Sequence, residues 1–276
     1  MFCINCGAKI NDGDSFCTNC GQKIVQSNET NSTLSLSEQV KKSKTVNAYS
    51  KDTTIEEMDT IKFGLFPQNN LIETEKEPIE WVLLEKNNNE AFLLSKFILD
   101  FKEFGKFDDY RVDYPCWENS PIRNWLNTDF FNNAFNIEEQ EIIKLTEIIN
   151  LPDSRYNYVG KNSNDRLFLL SDEEIIMYFE QIYNEDFDEN LKNENKKCAT
   201  KATKYAKRYD NGMYGGLVAE ERKQDMWWSN NDGYWLRSKG KEQSDASSVD
   251  VAGIIMKNTY SNSAIYGVRP AMWVKI

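Results

Sequence analysis

Beyond Asp59 the apolar positions come in short runs separated by turn-forming residues. "DTIKFGLFPQ", "EPIEWVLLEK" and "EAFLLSKFIL" are dense in aromatic and branched side chains, which predicts strands, and Asn87, Asn88 and Asn89 join the last two as a hairpin. The period then lengthens. In "SPIRNWLNTDFFNNAF" Ile122, Trp125, Leu126 and Phe130 share one helical face, behind Ser120 as cap and Pro121 at the first helical position. "NIEEQEIIKLTEI" repeats the plan with Asn136 as cap and acids in its first turn. "RLFLLSDEEIIMYFEQIY" predicts a strand running into a helix whose Ser171 and Glu174 form a capping box. "CATKATKYAKRYDNG" predicts a helix ended at Gly212. The pattern returns to strands in "GYWLRSKG", "SSVDVAGIIMK" and "AIYGVRPAMWVKI", the last read as one strand. Strands, helices and strands again predict an α+β domain over residues 59–276 whose two ends meet in one antiparallel sheet.

Upstream of Asp59 no such period holds. Residues 25–58 are rich in Ser, Thr, Asn and Lys with almost no aromatic content, too little to offset the entropy of ordering, and predict a flexible linker. Ahead of it, "FCINCGAKINDGDSFCTNCGQKI" sets Cys3, Cys6, Cys17 and Cys20 as Cys-x2-Cys-x10-Cys-x2-Cys. Two such pairs supply four soft thiolates in the tetrahedral arrangement that suits zinc. Gly7 and Gly21 follow the second cysteine of each pair, where a knuckle turns a backbone N–H toward sulfur. Residues 1–24 thus resemble the bacterial zinc-ribbon family, which implies one structural Zn2+. A module this small has almost no core, so the metal supplies its folding free energy.

Composition narrows the function classes. The chain has 276 residues, 40% hydrophobic and 13% aromatic, enough for a substantial core. It shows no secretory leader pattern and no run of about 18 apolar residues, so a soluble, cytoplasmic protein with no membrane partner is expected. Net charge is −11. Residues 1–24 balance two lysines against two aspartates and residues 25–58 set four lysines against five acids, which leaves −10 on residues 59–276. Phosphate backbones repel such a surface, and nucleic acid is disfavoured as a partner. Histidine is absent, which excludes every mechanism needing an imidazole base within this chain. Outside the ribbon only Cys116 and Cys198 remain, far apart, and they read as buried apolar thiols.

The motifs "IKFGLFPQ", "IEWVLLE", "AFLLSKFILD", "SPIRNWLNTDFFNNAF", "FLLSDEE", "YWLRSKG" and "YGVRPAMWVKI" resemble, in order and spacing, a bacterial domain family of unknown function. That family is similar to the C-type lectin-like fold and, distantly, to formylglycine-generating (sulfatase-modifying) enzymes. The resemblance covers residues 59–276 and implies a mixed lectin-like domain. Formylglycine-generating enzymes hold copper on a late cysteine pair, whereas here Cys198 stands alone in the later half, so that activity is not expected. Calcium-dependent lectins carry a Trp-Asn-Asp motif. "WWSNNDGYW" contains those residue types, but Ser229 interrupts the spacing and no Glu-Pro-Asn accompanies it.

Two surface candidates follow. Trp227, Trp228, Asn230 and Asp232 offer a stacking and oxygen-rich platform, against core packing as the plainer reading. Tyr260 and Asn262 lie in "NTYSNSAIY", whose Asn, Ser and Tyr content is that of a recognition loop. Arg237 of "WLRS" and Arg269 of "GVRPA" read as structural, since a guanidinium among apolar residues has to find a carboxylate or carbonyls. The favoured function is a zinc-binding, non-catalytic protein whose partner is another protein or a small ligand such as a glycan. The alternatives are an enzyme working through carboxylates or a thiol on a sulfatase-modifying-like fold, and a nucleic-acid adaptor acting through the ribbon.

Overall fold

The computed structural model describes residues 16, 18–20, 34–69, 73–105, 116–150, 161–180, 197–207, 231–242 and 244–276. The chain divides into two units, Met1–Ser35 and Leu36–Ile276.

The larger unit is mixed α+β and is built on two sheets. The first has the order β1 (Ile61–Phe66), β2 (Glu77–Lys86), β3 (Glu90–Ser95) and β11 (Ala271–Lys275), all antiparallel. Asn87 closes the β2–β3 hairpin as expected, its Oδ1 accepting from the Asn89 and Glu90 backbone N–H groups at 2.9 Å each. The first and last strands of the unit do share this sheet, though they stand at its opposite edges. The second sheet has the order β4 (Asp100–Phe101), β10 (Gly267–Val268), β7 (Tyr234–Lys239), β8 (Asp245–Val249) and β9 (Ile255–Tyr260). A two-stranded ribbon pairs β5 (Thr146–Ile148) with β6 (Ser163–Asp165).

The helices start where their caps predict. Ser120 Oγ accepts from Ile122 N at 3.1 Å ahead of α2 (Pro121–Trp125), which continues through a π turn (Leu126–Phe130) into α3 (Phe131–Ala134). Asn136 with Glu139, and Ser171 with Glu174, form capping boxes at α4 (Ile137–Ile142) and α5 (Asp172–Phe179). The π turn gives Asn127 its job. Its Nδ2 donates to the Arg123 and Leu167 carbonyls at 3.0 and 2.8 Å, and its Oδ1 accepts from Arg166 N and Leu167 N, clamping an otherwise unpaired loop.

Four expectations need correction. Residues 36–58, assigned above to the linker, belong to the larger unit. Residues 36–58 fold onto the larger unit as α1 (Leu36–Lys42) and two single 3-10 turns, with Val40, Val46, Ile55 and Met58 buried. Those apolar residues are so widely spaced that composition alone hides them. The segment 198–207 is not an α-helix. Residues 199–203 pass without helix between the two sheets, bridging Ile98 through Ala202 and Asp232 through Thr200, and only 204–207 turn, with Lys207 N donating to Thr203 O, so tertiary hydrogen bonds override local helix propensity; residues 208–212 lie outside the described residues. "SSVDVAGIIMK" is a hairpin, turned by Asp250 Oδ1 accepting from Ala252 N and Ile254 N at 2.9 and 2.8 Å. The final "strand" is two strands in different sheets, parted at Arg269–Pro270, because Pro270 has no N–H to continue a ladder.

Sheet edges are covered. Gln39 lies along β1, its Oε1 accepting from Lys62 N at 2.8 Å, and Glu139 Oε1 accepts from Gly64 N at 3.1 Å. Gly64 sits in the β1 bulge at φ +72°, where a Cβ would come within 2.5 Å of the Phe135 ring. On the other side β11 is continued by Phe168, which exchanges two backbone hydrogen bonds with Ala271, and by Lys144 N donating to Trp273 O. Phe92 stacks between Trp273 (centroids 4.8 Å) and Phe168 (5.8 Å), so this edge is also glued by aromatic packing.

Candidate functional site

The crossover from β10 to β11 carries Arg269 into the interior, where it is 1% exposed. Gly267 permits the approach, since a Cβ there would collide with Ile98 Cγ2. From this point the guanidinium reaches three parts of the fold. Nε donates to Ser95 O at the end of β3 (2.9 Å), and Nη1 donates to Cys198 O (3.1 Å) and to the Tyr234 hydroxyl on β7 (3.1 Å). The rings of Tyr234 and Phe179 lie 5.0 and 5.9 Å from its central carbon. Arg269 therefore ties the first sheet, the second sheet and the segment between them.

What the guanidinium lacks is an anion. Among the described residues no carboxylate pairs with it, and Nη2 has no hydrogen-bond acceptor. An uncompensated buried ion costs several kcal/mol. Beside it, the Tyr234 hydroxyl donates to Cys198 O at 3.0 Å and lies 3.0 Å from Cys198 Sγ. Burial, with the neighbouring Cys198, pushes the Tyr234 phenol well above its ordinary range, while Arg269 pulls the other way; the phenol stays protonated.

The other buried charges are engaged in the scaffold. Arg237 grips Glu174 in a bidentate pair (Nη2 to Oε1 3.0 Å, Nη1 to Oε2) and donates to Leu169 O at 2.8 Å, locking β7 to α5. Asp165 accepts from Trp117 Nε1 (2.9 Å), Ser163 Oγ (2.7 Å) and Arg123 Nε (2.7 Å). Asp172, fully buried at the first position of α5, meets Lys257 Nζ at 3.0 Å and Ser247 Oγ at 3.2 Å, and its Oδ1 has no partner. Burial raises its carboxyl above the ordinary range against the pull of Lys257. Sequence reasoning missed Asp165, Asp172 and Asn127. "SDEE" pointed to a cap, and nothing local marks Asp172 as a buried partner for a residue 85 positions away.

The residues expected to meet a ligand are spread apart in their surroundings. Asp232 is 2% exposed and turned inward, accepting from Ala202 N and Lys207 Nζ at 2.8 Å each. Trp235 and Tyr234 of the same stretch are core residues, the indole donating to Lys102 O at 2.8 Å. Trp227, Trp228 and Asn230 lie outside the described residues. Tyr260 is 68% exposed and Asn262 is exposed, on either side of the buried Ser261. Ser261 is held by Ser244 O on one side and by Phe104 N and Gly105 N on the other (2.8–3.1 Å), which fixes the backbone beneath the exposed tyrosine.

Of the ribbon cysteines, Cys20 is described and exposed, whereas Cys3, Cys6 and Cys17 lie outside the described residues. The donor set of four thiolates fits zinc in its chemistry. Cys116 and Cys198 are both buried and unbridged. Among the described residues no helix is long and apolar enough to cross a membrane. No curated protein and no solved structure matches the chain. A zinc-ribbon domain model matches residues 2–24, and a model for a domain of unknown function (DUF6273) matches residues 88–276, which include Arg237, Arg269 and every strand from β3 onward. With more than half of its length so matched, the chain belongs to the DUF6273 family and carries a zinc-ribbon domain ahead of it.

Proposed function

We propose that the protein is a zinc-stabilised, non-catalytic binding protein of the cytoplasm. In this reading Cys3, Cys6, Cys17 and Cys20 hold one Zn2+ in the ribbon, and a domain of the C-type lectin-like fold takes another protein or a small ligand such as a glycan. The observation that carries the reading is the contrast between interior and surface. The buried arginines and aspartates are spent on the scaffold, while Tyr260 stands 68% exposed on backbone anchored at Ser261. A rigid, exposed tyrosine flanked by Asn258, Asn262 and Ser263 has the chemistry of a recognition loop, large contact area at little entropic cost with adaptable polar neighbours. The lectin-like assignment is supported by the shared antiparallel sheet of the first and last strands and by the Gly-Val-Arg-Pro crossover between sheets.

The test uses the full chain against a glycan array and, by affinity capture, against proteins. Tyr260→Ala and Asn262→Ala are expected to lose at least about tenfold in affinity for whatever the wild type retains, with unchanged melting behaviour. Turnover of a sugar, peptide or nucleotide substrate, abolished by a single carboxylate or thiol substitution, is the result that overturns the reading.

A further inference from the structure

We propose that the corner formed by α4 and β5 is a protein-docking surface, and that its partner is a basic amphipathic segment with aliphatic residues set beside lysine or arginine. Three of the large apolar side chains left exposed among the described residues fall between 137 and 149. Ile137 is 76% exposed, Leu145 60% and Ile149 53%. Local structure turns them outward together. At about 100° per residue, Ile137, Glu138 and Glu141 lie within about a 100° arc of α4, and all three are exposed. Along β5 and its flanks, Leu145, Glu147 and Ile149 alternate with the half-buried Thr146 and the buried Ile148, so they share the outer face of the β5–β6 ribbon.

The two faces are held in fixed relation. Between them Ile143 bridges Val274 of β11, Lys144 N donates to Trp273 O at 2.9 Å, and Arg166 Nη1 donates to Ile143 O at 2.7 Å. A surface fixed in this way loses little entropy when a partner docks. Exposed aliphatic side chains gathered within a polar rim mark an interaction site, whereas single ones scattered over a surface do not. The corner lies on elements other than the strand that carries Tyr260, so it is a second surface beside the recognition role proposed above.

Charge chooses the occupant. Residues 136–150 hold four glutamates against one lysine, and that lysine, Lys144, pairs with Glu90. Among the described residues neither Glu138 nor Glu141 has an ion-pair partner, and Glu147 accepts from the Asn162 amide at 3.2 Å. Aliphatic side chains interleaved with carboxylates are complementary to aliphatic side chains interleaved with cations. The same carboxylates repel phosphate backbones and anionic membranes. A second copy docked through the same face would set glutamate against glutamate on two chains of −11 each.

The test presents the full-length protein to a displayed library of random peptides about 16 residues long, depleted beforehand on the Ile137→Ser/Leu145→Ser protein. Both side chains are exposed, so that variant is expected to melt as the wild type does. Retained peptides should carry lysine or arginine next to aliphatic residues and weaken as salt is raised. They should bind at least about tenfold more weakly to Ile137→Ser/Leu145→Ser and to Glu138→Gln/Glu141→Gln. A selection that yields no peptide able to tell wild type from these variants overturns the proposal, as do retained peptides that are acidic or lack aliphatic residues. Sedimentation of the wild type is expected to show a monomer. A dimer abolished by Ile137→Ser/Leu145→Ser would assign the surface to a second copy and overturn the proposal as well.

Discussion

Two buried charges make opposite predictions at the scale of single residues. Arg269 is a tie among three backbone and side-chain acceptors from different elements, so Arg269→Met removes a buried charge-assisted donor from Ser95 O, from Cys198 O and from the Tyr234 hydroxyl at once. The expected cost is about 3 kcal/mol in urea unfolding, with Arg269→Lys recovering only part because an ammonium lacks the planar fork. Asp172 is different, since its burial is itself unfavourable. Its folded carboxyl is held above the ordinary range by desolvation, opposed by Lys257, so the folded state binds that proton more tightly than the unfolded chain. The penalty is therefore present at neutral pH and is relieved as the pH falls through the folded value toward the ordinary one of about 4. Lys257→Met removes the compensating charge 3.0 Å away and should destabilise by about 2–3 kcal/mol at neutral pH, the deficit shrinking as the pH approaches 4. Asp172→Asn should cost less and show no such dependence. A Lys257→Met deficit that is the same at both pH values would show that the pair is not where the energy lies.

At the scale of elements, what was legible in the sequence was what local chemistry decides. Ser120, Asn136 and Ser171 begin helices because each offers an oxygen to an unpaired N–H two or three residues on, and "NNN" turns the hairpin for the same reason. Partners distant in sequence were not legible. Residues 198–203 have helical propensity, yet they form no helix because Ile98 and Asp232 offer them backbone partners about 100 and 30 residues away. The candidate site shared this fate: Arg269 was readable as a buried arginine in need of partners, but its meeting with Cys198 and Tyr234 was not. The linker boundary is the sharpest case and can be tested. A chain beginning at Leu36 should unfold at the same denaturant midpoint as the main transition of the full chain. One beginning at Asp59 loses Val40, Val46, Ile55 and Met58 from the core and the Gln39 cover on β1. It should melt lower and aggregate through the exposed edge, as followed by light scattering. Equal behaviour of the two chains would return residues 36–58 to the linker.

At the scale of the whole molecule the open question is whether the ribbon brings nucleic acid to this protein, as its family membership allows. Charge argues against it. The ribbon's own lysines and aspartates cancel, the proposed four thiolates on one Zn2+ would add about −2, and the chain as a whole carries −11. Most of a non-specific interaction with nucleic acid is release of counterions by cationic side chains, and its strength rises steeply as salt is lowered. Low salt is therefore the condition most generous to binding, and absence of binding there is informative. Full-length protein verified by elemental analysis to hold about one zinc per chain should show no retention of single- or double-stranded DNA or of RNA on filters at low ionic strength. Retention that persists in the zinc-loaded protein, falls as salt is raised, and disappears when the ribbon is unfolded by chelation would reverse the assignment. The ribbon would then be the functional end of the molecule, and the exposed Tyr260 would need an explanation other than the proposed recognition role.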